Sequence, residues 1–398
     1  MTASEQLAQF AAGSKALPKL CREYKKERAT VHLKELVGGA LSFYAAAAVA
    51  KTGGVHIFVA EDRDAAAYLL NDFYNLLDEK QVYFFPSSYK RSAAYGAEDA
   101  QGVVQRTAAM NAVRGFTKGY LVVCTYPEAL AERVVDAATL QRDTIAVKLG
   151  DKISIAVLED ALADANFTRV DFVYEPGQYS VRGGIVDVFS YSESKPYRID
   201  FFGDEVDSIR RFNISSQLSA DKLDRVEIIP NLNAGEAPRV SFVQFAGSSA
   251  ACWFYDADYV LRRVNDLRRK VLADMENPGQ IDRLLTSRNV LLRDMAGNSV
   301  VALRDNLPER PATAAVVFDT APQPKFNKNF EMLADDMIRN SLRGYATYIL
   351  SENKVQVERL ENIFHQIGRG QAAVRSLSVT LHEGFVDNDL KLCLYTDH

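Results

Sequence analysis

The sequence predicts an α/β protein. Its parallel-sheet lobes are interrupted by a small, mainly antiparallel α+β domain and followed by a further small α/β domain. Continuous apolar strands alternate with helices up to about residue 145, short strands with a hairpin turn follow, and strand–helix alternation then returns. Parallel strands covered by helices on both faces are unbroken apolar runs, whereas antiparallel strands with one wet face alternate in polarity.

Size and composition are those of an ordinary globular protein. The chain has 398 residues, of which 47% are hydrophobic and 25% charged. This composition excludes disordered, collagen-like and coiled-coil classes, and the length predicts about three domains. The net charge of −5 lacks the basic excess of a dedicated nucleic-acid binder, although one basic face remains compatible with it.

The first segment alternates helices with three apolar strands. We expect strands at 55–60, 82–85 and 120–124, and a mixed-charge helix at 5–28 that we interpret as a solvated face. The intervening helices are expected at 40–51, 65–77 and 100–114. Such an alternation predicts a parallel sheet with helices on both of its faces.

The pattern changes after residue 145. A helix at 155–165 precedes strands expected at 169–174, 184–189, 197–202 and 207–214, with Gly203-Asp204 as a hairpin turn. The chain then returns to an α/β pattern, with strands at 225–230 and 251–255 and a helix at 257–275, and a linker follows at 307–312. The final unit is expected to contain strands at 315–318, 345–350 and 390–395 and helices at 330–339 and 354–368.

Metal, disulfide and membrane sites are not indicated. The four cysteines show no CxxC spacing and the five histidines no HxxxH spacing, so we expect free thiols in a reducing compartment and no metal site. The first ten residues have no basic segment followed by an apolar run, and the small-apolar stretch 45–50 is too short to span a bilayer. We therefore expect a cytoplasmic protein.

A glycine pair before a predicted helix is the best candidate for a phosphate-binding loop. Such a loop needs backbone N–H groups around the phosphates, a lysine for their charge and a hydroxyl for Mg²⁺. Gly38, Gly39 and Ser42 are present, but Leu41 occupies the position that would carry the lysine. Because leucine cannot neutralise phosphate charge, we interpret the segment as an ordinary or degenerate turn.

Catalytic patterns are likewise missing. A nucleotide-driven motor needs an acidic strand end that holds metal-bound water. Asp256 fits this description, but Ala257 follows where a catalytic glutamate would stand, and no GxSxG elbow occurs. We therefore assign no catalytic residue.

One strand of the inserted segment combines a core face with a charged face. Alternation places Tyr197, Ile199 and Phe201 toward the core. The opposite face then carries Arg198, Asp200 and Phe202, and Arg182 precedes the glycine pair 183–184, which can bend its strand toward the same surface. Arginine beside an exposed aromatic is typical of interaction hot spots, although lone exposed aromatics are equally common.

These residues carry a resemblance to a known family. The runs are Tyr-Ser-Val-Arg-Gly-Gly-Ile-Val-Asp-Val-Phe at 179–189 and Tyr-Arg-Ile-Asp-Phe-Phe-Gly-Asp-Glu-Val-Asp-Ser-Ile-Arg at 197–210. They resemble the excinuclease-B (UvrB) homology module, and among proteins with that module the bacterial transcription-repair coupling factors. Weaker matches are the Phe85-Pro86 strand end with Arg106, the loop at 37–42 and the segment at 383–386.

The resemblance implies a specific domain plan. Residues 1–144 and 226–312 would form the degenerate RecA/helicase-like UvrB module, residues 145–225 the inserted domain that binds UvrA, and residues 313–398 a small α/β domain of unknown role. In the family, the positions of Arg182, Arg198 and Phe202 contact UvrA, and the phosphate loop is inert.

The resemblance also implies a non-catalytic part of a larger protein. UvrA would be recruited to lesions where RNA polymerase has stalled, while ATP and Mg²⁺, RNA polymerase and DNA would be bound by a translocase further along the full-length chain. The UvrA-binding face would contact that C-terminal part until the motor engages. We expect a monomeric fragment without a cofactor of its own.

An alternative is a working, nucleotide-dependent UvrB-like helicase module that acts directly on damaged DNA. The loop between Phe85-Pro86 and Arg106 is too short for the long hairpin that UvrB inserts into DNA. Tyr89, Lys90, Arg91 and Tyr95 nevertheless interleave basic and aromatic residues. They form either a structural loop or a contact to a phosphate backbone.

Overall fold

The computed structural model describes residues 2–89, 98–233, 236–275 and 277–396. Its helices, in chain order, are α1 (Ala3–Ala12), α2 (Ala16–Tyr24), α3 (Ala40–Thr52), α4 (Arg63–Leu76), α5 (Ala100–Gly115), α6 (Pro127–Ala131), α7 (Ala137–Asp143), α8 (Ile155–Asp164), α9 (Phe242–Ala246), α10 (Ala257–Asp274), α11 (Ile281–Leu284), α12 (Arg288–Asp294), α13 (Phe330–Leu342) and α14 (Lys354–Gln366).

The strands are β1 (Thr30–Lys34), β2 (Gly54–Val59), β3 (Val82–Phe84), β4 (Tyr120–Thr125), β5 (Val134–Val135), β6 (Ile145–Lys148), β7 (Thr168–Arg169), β8 (Gln178–Arg182), β9 (Ile185–Val188), β10 (Tyr197–Phe202), β11 (Glu205–Phe212), β12 (Ser219–Lys222), β13 (Arg225–Ile228), β14 (Arg239–Val240), β15 (Ala251–Phe254), β16 (Ser299–Ala302), β17 (Ala314–Val317), β18 (Thr320–Pro322), β19 (Ala346–Leu350), β20 (Ser376–Leu377), β21 (Phe385–Asp387) and β22 (Leu392–Thr396).

A seven-stranded parallel sheet with the order β17-β1-β16-β15-β2-β4-β3 forms the lobe. Its central strand β15 is buried along its whole length, as a strand covered on both faces must be. β15 and β16 come after the inserted segment, whereas β2 and β4 come before it. The two flanking segments therefore build one sheet, and the predicted α/β class is confirmed.

Strand β17 corrects one expectation. We expected a strand at 315–318 to open the final unit, but it pairs in parallel with β1 at the edge of the large sheet, with Val31 opposite Ala314. The predicted linker at 307–312 is held against that sheet, because Arg310 donates to the backbone oxygens of Met295 (2.6 Å) and Ala29 (3.4 Å). The assignment of this strand to the final unit is therefore wrong.

The inserted segment folds around a core of its own. Its sheet has the order β12-β11-β10-β9-β8-β7, antiparallel except for the β7–β8 pair. The buried core side chains are Val147, Leu158, Leu162, Phe167, Tyr179, Val186, Val188, Tyr197, Ile199, Val206, Ile209, Val226 and Ile228. β6 and β13 pair antiparallel, with Ile145 opposite Ile228. The structure thus extends this unit through Ile228, past the predicted boundary at 225.

The last unit is a five-stranded mixed sheet with the order β18-β21-β22-β19-β20. One small core, which includes Met337, Phe364 and Tyr395, lies under α13 and α14. Other side chains of this unit, including Leu381 and Phe385, join the continuous core of the lobe. The unit is therefore packed onto the lobe and shares its core.

No helix in the described part of the chain is both long enough and apolar enough to cross a membrane.

Candidate protein-binding surface

A buried carboxylate organises the outer face of the inserted sheet. Asp187 lies on β9 directly opposite Arg198 on β10, and its side chain is 2% exposed. Arg198 donates from Nε to Oδ1 of Asp187 (2.7 Å) and from Nη2 to Oδ2 (2.8 Å), and Arg182 donates from Nη2 to Oδ2 (2.6 Å). Charge-assisted bidentate pairs are among the strongest hydrogen bonds in proteins. One carboxylate therefore holds both predicted contact arginines together.

Aromatic rings fix the planes of the two guanidinium groups. Arg182 lies over Phe172, with its Cζ 4.7 Å from the ring centroid, and Arg198 lies over Phe212 at 4.3 Å. Arg198 also donates from Nη2 to the Gln217 side-chain oxygen (3.0 Å). As a result, Arg198 is largely enclosed, with 15% of its side chain exposed, whereas 38% of Arg182 is exposed.

Phe202 ends strand β10 and is 83% exposed. The strand alternates as predicted, since Tyr197 and Ile199 are buried and Phe201 packs against the same core. A register shift after Asp200 leaves the turn at 203–204 joining Phe202 to Glu205. Most of this aromatic side chain therefore lies outside the core of the inserted unit.

A second ion pair flanks the first. Arg198 and Arg210 stand directly opposite each other on β10 and β11, an arrangement that like charges disfavour. Asp200 pairs with Arg210 and accepts a hydrogen bond from Ser208 (2.5 Å), so each arginine has its own carboxylate. These pairings offset the repulsion between the two facing arginines.

The degenerate phosphate loop is covered by the last unit. Gly38 and Gly39 precede α3, and Gly38 has a φ of +56°. A Cβ on Gly39 would lie 2.1 Å from the carbonyl oxygen of Glu383, and one on Gly38 would lie 3.1 Å from that of Gly384. The backbone of residues 383–384 thus lies directly against this loop, and only glycine permits that approach.

The hydroxyl of this loop is used inside the protein. Ser42 is buried and donates to Oδ2 of Asp72, whose Oδ1 accepts the backbone N–H of His382 (2.7 Å). The His382 ring stacks on Tyr68 with the centroids 3.6 Å apart. Leu41 is half-buried against the lobe core. The loop, α4 and the last unit therefore meet in one hydrogen-bonded junction.

The remaining sequence candidates have structural contacts. Asp256 caps α10 by accepting the backbone N–H of Tyr259 (2.8 Å) and also accepts the side-chain amide of Asn306 (2.8 Å). Arg106 is buried and donates to the carbonyl oxygen of Pro86 (2.8 Å). It stacks on Phe85 at 4.0 Å, so it holds the segment that follows β3.

Two further predictions concern nucleic acid and metals. In the basic and aromatic loop, Tyr89 forms an isolated antiparallel β-bridge with Glu98. Lys90, Arg91 and Tyr95 lie outside the described residues. Within the described ranges, no three His, Cys, Asp or Glu side chains are grouped so that they could hold a metal ion.

The sequence predicted that the two arginines and Phe202 share one surface, but it did not predict what holds the arginines in place. Asp187 lies within the strand expected at 184–189, but its position opposite Arg198 follows from the register between β9 and β10, which no local pattern specifies. No local pattern indicated the role of Phe172. A strand was expected at 169–174, but the observed strand is Thr168–Arg169, which ends before Phe172. The contact of Glu383 with Gly39 joins residues more than 300 positions apart, and no local pattern predicts it.

The comparison with known families concerns the unit that carries this surface. Residues 145–233 match the family model described as the UvrB interaction domain. The match, like the strand pairing that reaches Ile228, extends past the predicted boundary at 225.

Individual relatives are named as one kind of protein. The chain is 27% identical over 199 residues to the transcription-repair-coupling factors of Bacillus subtilis (strain 168) and of Escherichia coli (strain K12). It is 35% identical over 101 residues to that of Haemophilus influenzae. The first two matches cover 50% of this chain but 17% of each relative. They confirm the predicted resemblance to transcription-repair coupling factors.

The contact at Gly39 predicts an unusual cost for a small substitution. Gly39→Ala places a methyl group against the backbone of Glu383, so we expect the free energy of unfolding to fall by about 1–3 kcal/mol in urea denaturation. Gly115→Ala is the control, because a Cβ at this last residue of α5 meets no atom within 4 Å. Equal stability of the two variants would contradict the close approach.

Asp72 predicts a pH dependence of stability. Burial raises the pKa of this carboxyl from 3.8 to about 6, so between these values the folded state holds a proton that the unfolded state has lost. The free energy of unfolding should therefore fall by about 2 kcal/mol as pH rises from about 4 to 6. In urea titrations across this range, Asp72→Asn should remove most of that fall. If the stability of Asp72→Asn falls with pH as steeply as that of the wild type, Asp72 is not the source of the pH dependence.

Proposed function

We propose that this chain is the UvrA-recruiting, non-catalytic part of a transcription-repair coupling factor. One observation carries the proposal. The unit that matches the UvrB interaction domain displays two arginines, fixed on a buried carboxylate, together with an exposed phenylalanine. The family's contact positions, Arg182, Arg198 and Phe202, are the residues that build this face.

The physical character of the face supports a protein partner. Arginine and aromatic side chains dominate the binding energy of protein interfaces. The guanidinium groups of Arg182 and Arg198 are already ordered by Asp187 and by two aromatic rings, so less conformational entropy is lost on binding. Phe202 adds apolar area that is buried only when a partner is present.

We also propose that this part of the protein works without nucleotide. Leu41 stands where a phosphate-binding lysine would be, Ser42 is engaged with Asp72, and the backbone of residues 383–384 covers the glycine pair. These contacts favour an inert module over the alternative of a nucleotide-dependent helicase acting on damaged DNA.

In this proposal the motor functions belong to the full-length protein. That protein is an ATP-dependent DNA translocase that binds RNA polymerase and DNA, displaces the stalled polymerase, and contacts the UvrA-binding face intramolecularly before engagement. UvrA then reaches the lesion through the inserted unit. The protein is proposed to be cytoplasmic and monomeric.

Truncating the exposed face should weaken UvrA binding. Loss of an interface hot spot costs about 2 kcal/mol or more, so the double variant Arg198→Ala/Phe202→Ala should bind purified UvrA at least about 30-fold more weakly in titration calorimetry. Leu342→Ala is the matched control, because Leu342 in the last unit is 84% exposed, much as Phe202 is. Wild-type affinity in the double variant would remove this face from the interface.

Nucleotide should leave the protein's melting temperature unchanged. A working site would add about 2.7 kcal/mol of stability when Mg-ATP is present at 100 times its dissociation constant. With the glycine pair covered, we expect no shift in a thermal melt at millimolar Mg-ATP, with Mg²⁺ alone as the control. A clear upward shift would favour the helicase alternative.

A further inference from the structure

Asp187 serves two cations at once, unlike the neighbouring carboxylate. Among the described residues, Asp200 forms an ion pair with Arg210, whereas Asp187 accepts three hydrogen bonds from Arg182 and Arg198 at 2.6–2.8 Å. The cluster of Asp187, Arg182 and Arg198 therefore keeps one surplus positive charge. That charge lies at the outer side of the sheet, where Arg182 is the more exposed of the two arginines.

The hydrogen bonds divide each guanidinium group into a held side and a free side. Among the contacts of the described residues, Arg182 donates to Asp187 only through Nη2, and Arg198 donates through Nε and Nη2. The Nη1 groups of both arginines and Nε of Arg182 are left to solvent or to a partner. A planar guanidinium group that is hydrogen-bonded along one edge presents its other edge in a fixed direction.

Stability alone does not explain this arrangement. Removing a carboxylate from water costs several kcal/mol, and well-packed apolar residues often give equal or greater stability at such positions. Asp187 sits in the sheet with Ser180 opposite it on β8 and Arg198 opposite it on β10, so its own position is rigid. It is a fixed anchor for two long side chains that would otherwise be mobile.

We propose that Asp187 is a positioning residue for the UvrA-binding face. It orients Arg182 and Arg198 toward the partner and touches the partner itself through neither oxygen. This role rests on the proposed function, since it concerns the same surface. Releasing two arginine side chains in the free protein should weaken binding about tenfold, because the partner must then order them.

The test is a double-mutant cycle on the full 398-residue chain with purified UvrA. Asp187→Asn should weaken binding about tenfold in the wild-type background and have less than a twofold effect in an Arg182→Ala/Arg198→Ala background. Asp200→Asn, which releases Arg210 instead, is the matched control and should change affinity less than twofold. An equal loss from Asp187→Asn in both backgrounds would overturn the positioning role.

A spectroscopic readout separates orientation from folding. The Nε–H resonance of Arg198 should exchange slowly with water in the wild type, because it is hydrogen-bonded to Asp187, and rapidly in Asp187→Asn. Slow exchange in both proteins would overturn the role. If the Asn variant unfolds, Asp187→Glu keeps the charge. Binding by this variant within about threefold of the wild type supports the role, and a tenfold or larger loss with a folded domain counts against it.

Failure of the two proposals can be told apart. If the wild-type chain and Asp187→Asn bind UvrA equally tightly, the proposed function stands and the positioning role is removed. Wild-type chain that does not bind UvrA overturns the proposed function and this role with it.

Discussion

The approach of the Glu383 carbonyl to Gly39 is the constraint on which the arrangement of lobe and last unit depends. Around it, Ser42, Asp72 and the His382 backbone complete one junction, and Tyr44 donates to Asp387 (2.5 Å) a turn further along α3. The N-terminal end of a helix carries partial positive charge, which favours an anion or a carbonyl oxygen. The carbonyl oxygen of Glu383 therefore lies beside the N-terminal end of α3, where an active loop would hold phosphate.

The charged groups of the inserted unit differ from the polar groups of the Gly39 junction in their exposure. At the Gly39 junction polar groups point inward and bond within the chain. On the outer sheet face, by contrast, the Nη1 groups of Arg182 and Arg198 have no hydrogen-bond partner among the described residues, and Phe202 is 83% exposed. The polar groups of the Gly39 junction are thus engaged within the protein, whereas those of the outer sheet face are partly exposed. One chain therefore contains both a glycine loop packed against the last unit and a surface with exposed arginine and aromatic groups.

Much of the architecture followed from local pattern. The long apolar strands β2 and β4 and the alternating β10 were predicted because burial imposes their periodicity directly. β1 and β16 were missed: Thr-Val-His-Leu-Lys alternates like a surface strand, and β16 is only four residues long. β17 was predicted as a strand but assigned to the wrong sheet, since pairing with β1 is a long-range choice that no window of sequence contains. In the candidate site, motif and alternation gave Arg182, Arg198 and Phe202, while the role of Asp187 emerged only from the register between β9 and β10.

The antiparallel pairing of β6 with β13 has a consequence for the evolution of such chains. Neighbouring strands lie about 5 Å apart, so the polypeptide enters and leaves the inserted unit at almost the same point. Excising the unit would leave a gap that a short turn can close, and the large sheet, whose strands come from both sides of it, would keep its order. A module joined in this way can be acquired, exchanged or lost as a cassette, which lets a binding specificity change while its host scaffold stays the same.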